Sequence, residues 1–281
     1  MLKQKRTILQ SLIKDLIKGF NRIYWFFFTF LKYYYNTVLF NILKKKNSNY
    51  SISLLLPTKL RSKKFTNMVK SLFDNTNNIR NIELLILFDE SEEQFSHYKE
   101  TIEQYNKVSN INYYKKNFNT NLQRINFLAS KCKNDLILAI NDDIEFVLKD
   151  WDKILSREFS KINNLKPFSV WIRSDDVKYK YLHSNFPVIN RAWYNKLLYH
   201  SPSKYFSQWW ADNWICDLGK KTGFFLITHH IFIKHFNQFH LDDQKDQTYL
   251  DSEKQRNGDK DLLNWKKYNY IRIKDAKKLL N

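Results

Sequence analysis

Two adjacent carboxylates, Asp142 and Asp143, stand at the end of the apolar run Leu136-Ile137-Leu138-Ala139-Ile140. Paired aspartates make a hard, all-oxygen site that suits Mg²⁺ or Mn²⁺, a cation usually shared with a substrate's phosphates. The same pair could instead cap the helix expected to begin near Leu148 to Trp151, or sit in a solvated turn. A second pair, Asp175-Asp176, shares its segment with Lys178 and Lys180 and reads as a solvated turn. Further on, Gln208-Trp209-Trp210-Ala211-Asp212-Asn213-Trp214 sets one aspartate among three indole rings. Such a wall offers aromatic faces to a sugar, and desolvation would tune Asp212 toward a general base. Asp217 is the reserve, turned to another helix face by its spacing; an aromatic core with a helix-capping Asp is the alternative reading.

These groups need elements to hold them. The run before Asp142 has the length and composition of a buried parallel strand. Upstream, Ser51–Leu56, Ile82–Phe88 and Ile111–Tyr114 read as strands, and 63–73, 92–105 and 120–132 as helices between them. That alternation predicts an α/β domain with a largely parallel sheet. Thr58, Asp89 and Asp142–Asp143 each fall just after a strand, so they would gather along the one edge of the sheet where such proteins bind nucleotides. Phe168–Arg173 and His183–Asn190 read as further strands, a helix starts at Arg191, and Phe224–Thr228 and Ile231–His235 are late strand candidates.

Composition narrows the partners. With 47 Lys and Arg against 28 Asp and Glu, the chain of 281 residues carries a formal charge of +19, which favours an anionic partner: nucleic acid, an anionic membrane surface or a phosphorylated substrate. Lysine-rich, asparagine-rich composition also fits an AT-rich genome. No nucleic-acid-binding motif accompanies the charge, so nucleic acid is not expected. The four glycines, Gly19, Gly219, Gly223 and Gly258, form neither a P-loop nor a dinucleotide fingerprint, and no HExxH pattern occurs. Cys132 and Cys216 are isolated, which excludes a disulfide framework or a cysteine zinc site and fits a reducing compartment. Residues 1–47 differ from the rest: an amphipathic stretch from Leu9 to Phe20, then an aromatic run from Ile23 to Phe40 interrupted by Lys32 and Asn36 and closed by Lys44-Lys45-Lys46. Tryptophan, tyrosine and flanking lysines suit the headgroup region, so this segment is expected to lie in a membrane interface rather than to span it. Packing of these aromatics on the following domain is the alternative.

The residues from Tyr50 onward resemble the family 2 glycosyltransferases. Ser51-Ile52-Ser53-Leu54-Leu55-Leu56-Pro57-Thr58-Lys59-Leu60-Arg61 looks like the family's opening strand and its Pro-Thr-x-x-Arg turn, and Ile82 to Asp89 like its second strand. Asn126, nine positions before Asp135, matches a helix asparagine, and Asn141-Asp142-Asp143 stands in for Asp-x-Asp. Similarity covers roughly residues 50–250. It implies a GT-A fold: a largely parallel central sheet flanked by helices, here with an N-terminal aromatic helical extension (1–47), a domain at 48–250 and a C-terminal helical tail at 251–281. It also implies a metal-dependent inverting transfer from a nucleoside-diphosphate sugar to a glycan or lipid-linked acceptor. Pro57, Thr58, Arg61, Asp89, Asn126, Asn141 and Asp142 would face the donor. Asp143, Asp142 and His235 would hold Mn²⁺ or Mg²⁺, with His230 and His240 as alternatives, and Asp212 would be the base. The first Asp-x-Asp position is Asn141, which makes Asp143 the main ligand, and Arg124 is displaced by one position from the family's arginine. Together with the N-terminal segment, this places the protein on the cytoplasmic face of a membrane. A nucleotidyltransferase and a non-catalytic membrane-surface binding protein are the rival classes.

Overall fold

The computed structural model describes residues 50–106, 110–160, 166–175, 185–207, 210–223, 225–236, 246, 248, 250–251 and 258–281. The segment expected at 1–47 lies outside these residues, as do Trp209, Asp176 and His240.

The first half alternates as its hydrophobic pattern requires: β1 (Ile52–Pro57), α1 (Ser62–Asp74), β2 (Ile82–Phe88), α2 (Phe95–Asn106), β3 (Asn110–Lys115), α3 (Asn121–Lys131) and β4 (Leu136–Ala139). Every residue of β2 is buried, as a strand covered on both faces must be. Helix α1 turns Phe65, Met68, Val69, Leu72 and Phe73 inward at helical spacing. A capping box opens α3: the Thr120 hydroxyl accepts from the Gln123 amide, and the Gln123 side chain accepts from the Thr120 amide. These four strands run parallel in the order β3-β2-β1-β4.

The second half comprises β5 (Ile144–Phe146), α4 (Trp151–Ser160), β6 (Ser169–Ser174), β7 (Phe186–Asn190), α5 (Arg191–Leu197), α6 (Ala211–Thr222), β8 (Phe225–His235), α7 (Gly258–Lys267) and α8 (Asn269–Leu280). All eight strands form one sheet, ordered β3-β2-β1-β4-β7-β6-β8-β5. Here the sheet becomes mixed: β7 is antiparallel to β4 and β6, β8 is parallel to β6, and β5 is antiparallel to β8. The two late strand candidates are one continuous strand.

This order forces the sheet to curl. Strands β4 and β5 are separated in the sheet by β7, β6 and β8, a distance of about 19 Å if flat, at ~4.8 Å per neighbour. The chain bridges them with only Ile140 to Asp143, whose full extension reaches about 17 Å. Bulges make the bend: β8 advances from Ile227 to Ile231 while β6 advances only from Trp171 to Arg173.

Side chains alternate across the strands. One face carries Leu55, Leu85 and Ile137, packed with Leu122 and Leu128 of α3, Trp193 of α5, Trp214 and Leu218 of α6, and Leu279 of α8. On the other, the rings of Phe65, Phe88 and Tyr98 meet with centroids 4.8 to 6.5 Å apart. Helix α8 buries Ala276 and Leu279, so the end of the chain is part of the packed body. No described helix is long and apolar enough to cross a membrane.

Candidate active site

Strand order reverses between β1 and β4, and their carboxyl ends open the crevice in which open α/β sheets bind ligands. Thr58 follows one strand and Asp142 the other, and the Thr58 hydroxyl donates to Asp142 Oδ2 at 2.6 Å. Arg61 Nη1 donates to Asp142 Oδ1 at 2.9 Å. Both oxygens of the buried Asp142 are therefore engaged by protein. In this arrangement Asp142 organises the β1–α1 turn, and a metal would share its oxygens with Thr58 and Arg61.

That turn is held unusually tightly. Leu60 takes a positive φ of 53°, which costs a side-chain-bearing residue about 1 kcal/mol. Its amide donates to Glu92 Oε2 at 3.1 Å, the Arg61 amide to the Tyr98 hydroxyl at 2.6 Å and the Ser62 amide to Gln94 Oε1 at 2.9 Å. Burial pushes the Tyr98 hydroxyl up to about 12, so it remains a neutral group at this spot. Together these bonds aim the Arg61 side chain across the crevice.

Asp143 lies beside His235 because of strand register. Its neighbour Ile144 is the ladder partner of His235, and the Phe236 amide donates to the Asp143 carbonyl at 3.0 Å. Asp143 Oδ1 is buried without a hydrogen-bond partner, 3.6 Å from His235 Nε2, and Oδ2 is 3.9 Å from Arg61 Nη1. Burial works against both carboxylates. At Asp142 it prevails over Arg61 and holds the carboxyl above the usual range, whereas at Asp143 the imidazole, Arg61 and Lys64 outweigh it and hold the carboxyl below. Among the late histidines His230 is exposed, and it is His235 that the fold brings to Asp143. Asp175, expected in a solvated turn, accepts the His235 amide at 2.9 Å and positions it; a sequence holds no trace of that contact across 60 residues.

The remaining candidates are spread along the same edge. Asp89 is clamped by Lys59, at 3.2 Å, and by Arg124. The capping box fixes where α3 starts and so delivers Arg124 to Asp89; this arginine was passed over because its sequence spacing is off by one. Pro57 ends β1 opposite Leu87, and Asn141 is exposed. Asn126 does not face the crevice network: its amide receives the His200 and Ser201 backbone N–H groups at 3.0 and 2.8 Å and donates to the Ser201 carbonyl at 2.8 Å and the Ser203 hydroxyl at 3.0 Å. It shapes the 200–203 loop and, with Asn117, Gln123 and Ser203, lines a cavity of about 540 Å³. Asp212 sits in the first turn of α6 and accepts the Asn213 amide at 2.8 Å. Because α6 runs straight into β8, its start lies toward the carboxyl edge; the Leu122 amide at the start of α3 likewise bonds the Ser207 carbonyl nearby at 3.2 Å. Asp217, the reserve base, pairs with Arg272 at 2.8 Å and Lys221 at 3.2 Å.

Could these residues hold a divalent cation? A buried, unpartnered carboxylate oxygen beside an imidazole nitrogen is a fitting pair of ligands. No described group of three or more His, Cys, Asp or Glu side chains is arranged to hold a metal alone. Phosphate oxygens and water would have to complete the shell, the usual manner of Mg²⁺.

No family model matches the sequence, and no curated protein sequence matches it. Solved structures do. The chain is similar to the mannosyltransferase PcManGT from Pyrobaculum calidifontis, a complex with GDP-Man and Mn²⁺, with a TM-score of 0.54 and 10% identity over 75% of this chain and 65% of that one. It is also similar to S. aureus TarS, with a TM-score of 0.51 and 13% identity over 67% of this chain and 37% of that one. For residues 1–349 of TarS the TM-score is 0.50 and the identity 12%, over 66% of this chain and 60% of that one. The chain thus spans less than two thirds of each of these proteins. At such identities the likeness establishes architecture: the chain has a GT-A-like glycosyltransferase fold.

Proposed function

We propose that this protein is a metal-dependent glycosyltransferase that moves a sugar from a nucleoside-diphosphate sugar to an acceptor hydroxyl with inversion. The observation that carries this reading is the meeting of Asp143 and His235 at the β1–β4 crevice of a GT-A-like sheet. Asp143 and His235 would hold Mn²⁺ or Mg²⁺, which when bound neutralises charge on the diphosphate. Thr58 and Arg61 keep Asp142 in place behind them, and Asp89 stands beside Lys59 at the nucleoside end. On the acceptor side Asp212 takes the hydroxyl proton as that oxygen bonds to the anomeric carbon; the bond from that carbon to the diphosphate breaks, and the nucleoside diphosphate leaves with its electron pair. A glycan or lipid-linked acceptor, and a place on the cytoplasmic face of a membrane, are supported by the aromatic, lysine-rich segment 1–47.

The test is release of nucleoside diphosphate from a panel of nucleotide sugars with Mn²⁺, beginning with GDP-mannose, the donor in the PcManGT complex. Turnover of any donor that stops on chelation and returns with Mn²⁺ is the expected result. No nucleotide binding by calorimetry across the panel would overturn the reading and favour a non-catalytic binding protein.

A further inference from the structure

The crevice holds an ion pair that the proposed reaction does not use. Asp246 presents both carboxylate oxygens to Arg61, receiving Nε at 2.8 Å and Nη2 at 2.7 Å, and Lys64 Nζ lies 2.6 Å from Oδ2. Close by, the Thr248 hydroxyl donates to the Lys59 carbonyl at 3.0 Å. A paired, planar contact of this kind is how a guanidinium takes a carboxylate or a phosphate, and the two anions compete for the same donors. Arg61 and Lys64 stand at the start of α1, where the helix dipole adds to the attraction for anions. The same guanidinium also bonds Asp142 and approaches Asp143. Two cations thus face three carboxylates, a net negative balance into which a diphosphate cannot easily come. With Asp246 withdrawn, the balance is neutral and the donors of Arg61 and Lys64 are open.

We propose that Arg61 and Lys64 form a seat for the donor's diphosphate, and that Asp246 occupies it as an internal anion until the donor displaces it. The identity of the incoming diphosphate rests on the glycosyltransferase reading; the seat itself does not. Asp246 is then a built-in competitor: it lowers apparent affinity in proportion to the time it fills the seat.

The probe is inorganic pyrophosphate, titrated into the full chain by calorimetry. Asp246→Asn keeps the volume and removes the competing charge, so it should tighten pyrophosphate binding by roughly tenfold or more. Adding Lys64→Gln to that variant should reverse the gain. Circular dichroism and melting temperature check that each variant is folded. Pyrophosphate binding that is unchanged or weaker in Asp246→Asn, or undetectable in both proteins, overturns the proposal and leaves Asp246 as a structural clasp. Tighter pyrophosphate binding without turnover of any nucleotide sugar sustains the seat and removes the glycosyltransferase reading.

Discussion

Asp142 and Asp143 are adjacent and chemically identical, and the structure gives them different partners. Asp142 bonds Thr58 and Arg61 with both oxygens, while Asp143 keeps one buried oxygen unpartnered next to His235. Removing charge at the two positions should therefore act in different ways. Asp143→Asn is expected to abolish Mn²⁺ binding and Mn²⁺-dependent turnover and to lower the melting temperature modestly, because the imidazole, Arg61 and Lys64 lose the carboxylate they compensate. Asp142→Asn should instead keep Mn²⁺ binding and change stability little, because relief of the buried charge offsets the weakened bonds to Arg61 and Thr58. Calorimetric Mn²⁺ titration beside thermal melts distinguishes the two, and equal loss of metal binding in both variants would contradict this division. At the acceptor side, Asp212→Asn should reduce kcat by about 10²–10⁴ with little change in donor KM, read by steady-state kinetics. The family resemblance pointed to Asp143 and His235, which the fold sets side by side. It missed Arg124, Asp175 and Asp246, whose partners lie 35, 60 and 185 residues away. No local spacing encodes such contacts; only closure of the sheet creates them.

Among the elements, α8 is the one whose attachment depends on few groups. Arg272 is buried, its guanidinium lies 3.6 Å from the Trp265 ring, it donates to Asp217 of α6 at 2.8 Å, and its Nη1 bonds the Trp265 carbonyl at 2.8 Å. Arg272→Ala leaves a carboxylate and a carbonyl without this donor and should cost on the order of 2–3 kcal/mol, since Asp217 keeps some solvent. A urea titration should show a lower midpoint at unchanged slope; a lower slope would mean that α7 and α8 detach as a unit. The elements that sequence revealed most fully, β1 to β4 and α1 to α3, have a pattern with a single period throughout, while β6, β7 and the start of α5 were also legible. Strand β5 was invisible because three residues carry no period, and β8 read as two strands because its bulges break the alternation there.

For the molecule as a whole, acid should act chiefly through His200. Its ring is fully enclosed, Nδ1 lies 3.0 Å from the Ser201 hydroxyl, Nε2 has no partner, and burial drags its pKa from 6.5 down to about 4. Between those values the unfolded chain binds the proton and the folded chain refuses it. Stability must therefore fall as pH drops from about 6.5 to about 4, by on the order of 3 kcal/mol, and level off beyond both limits. Asp142, held above its ordinary value, acts in the opposite sense: it gains a proton more readily folded than unfolded, so acid favours its folded form. The difference between the native protein and His200→Leu isolates the histidine. Parallel pH profiles of the urea midpoint in the two proteins would rule it out as the sensor.

The short bridge from Ile140 to Asp143 carries a last consequence. Its ends are fixed by the Ile140 amide on the Leu55 carbonyl and the Phe236 amide on the Asp143 carbonyl, both at 3.0 Å. Insertion or deletion of a residue there would shift Asp143 against the register that sets it beside His235. Among relatives diverged beyond recognition in letters, this stretch is expected to be a ruler, varying in composition but not in length. Alignments should be anchored on its span before its aspartates.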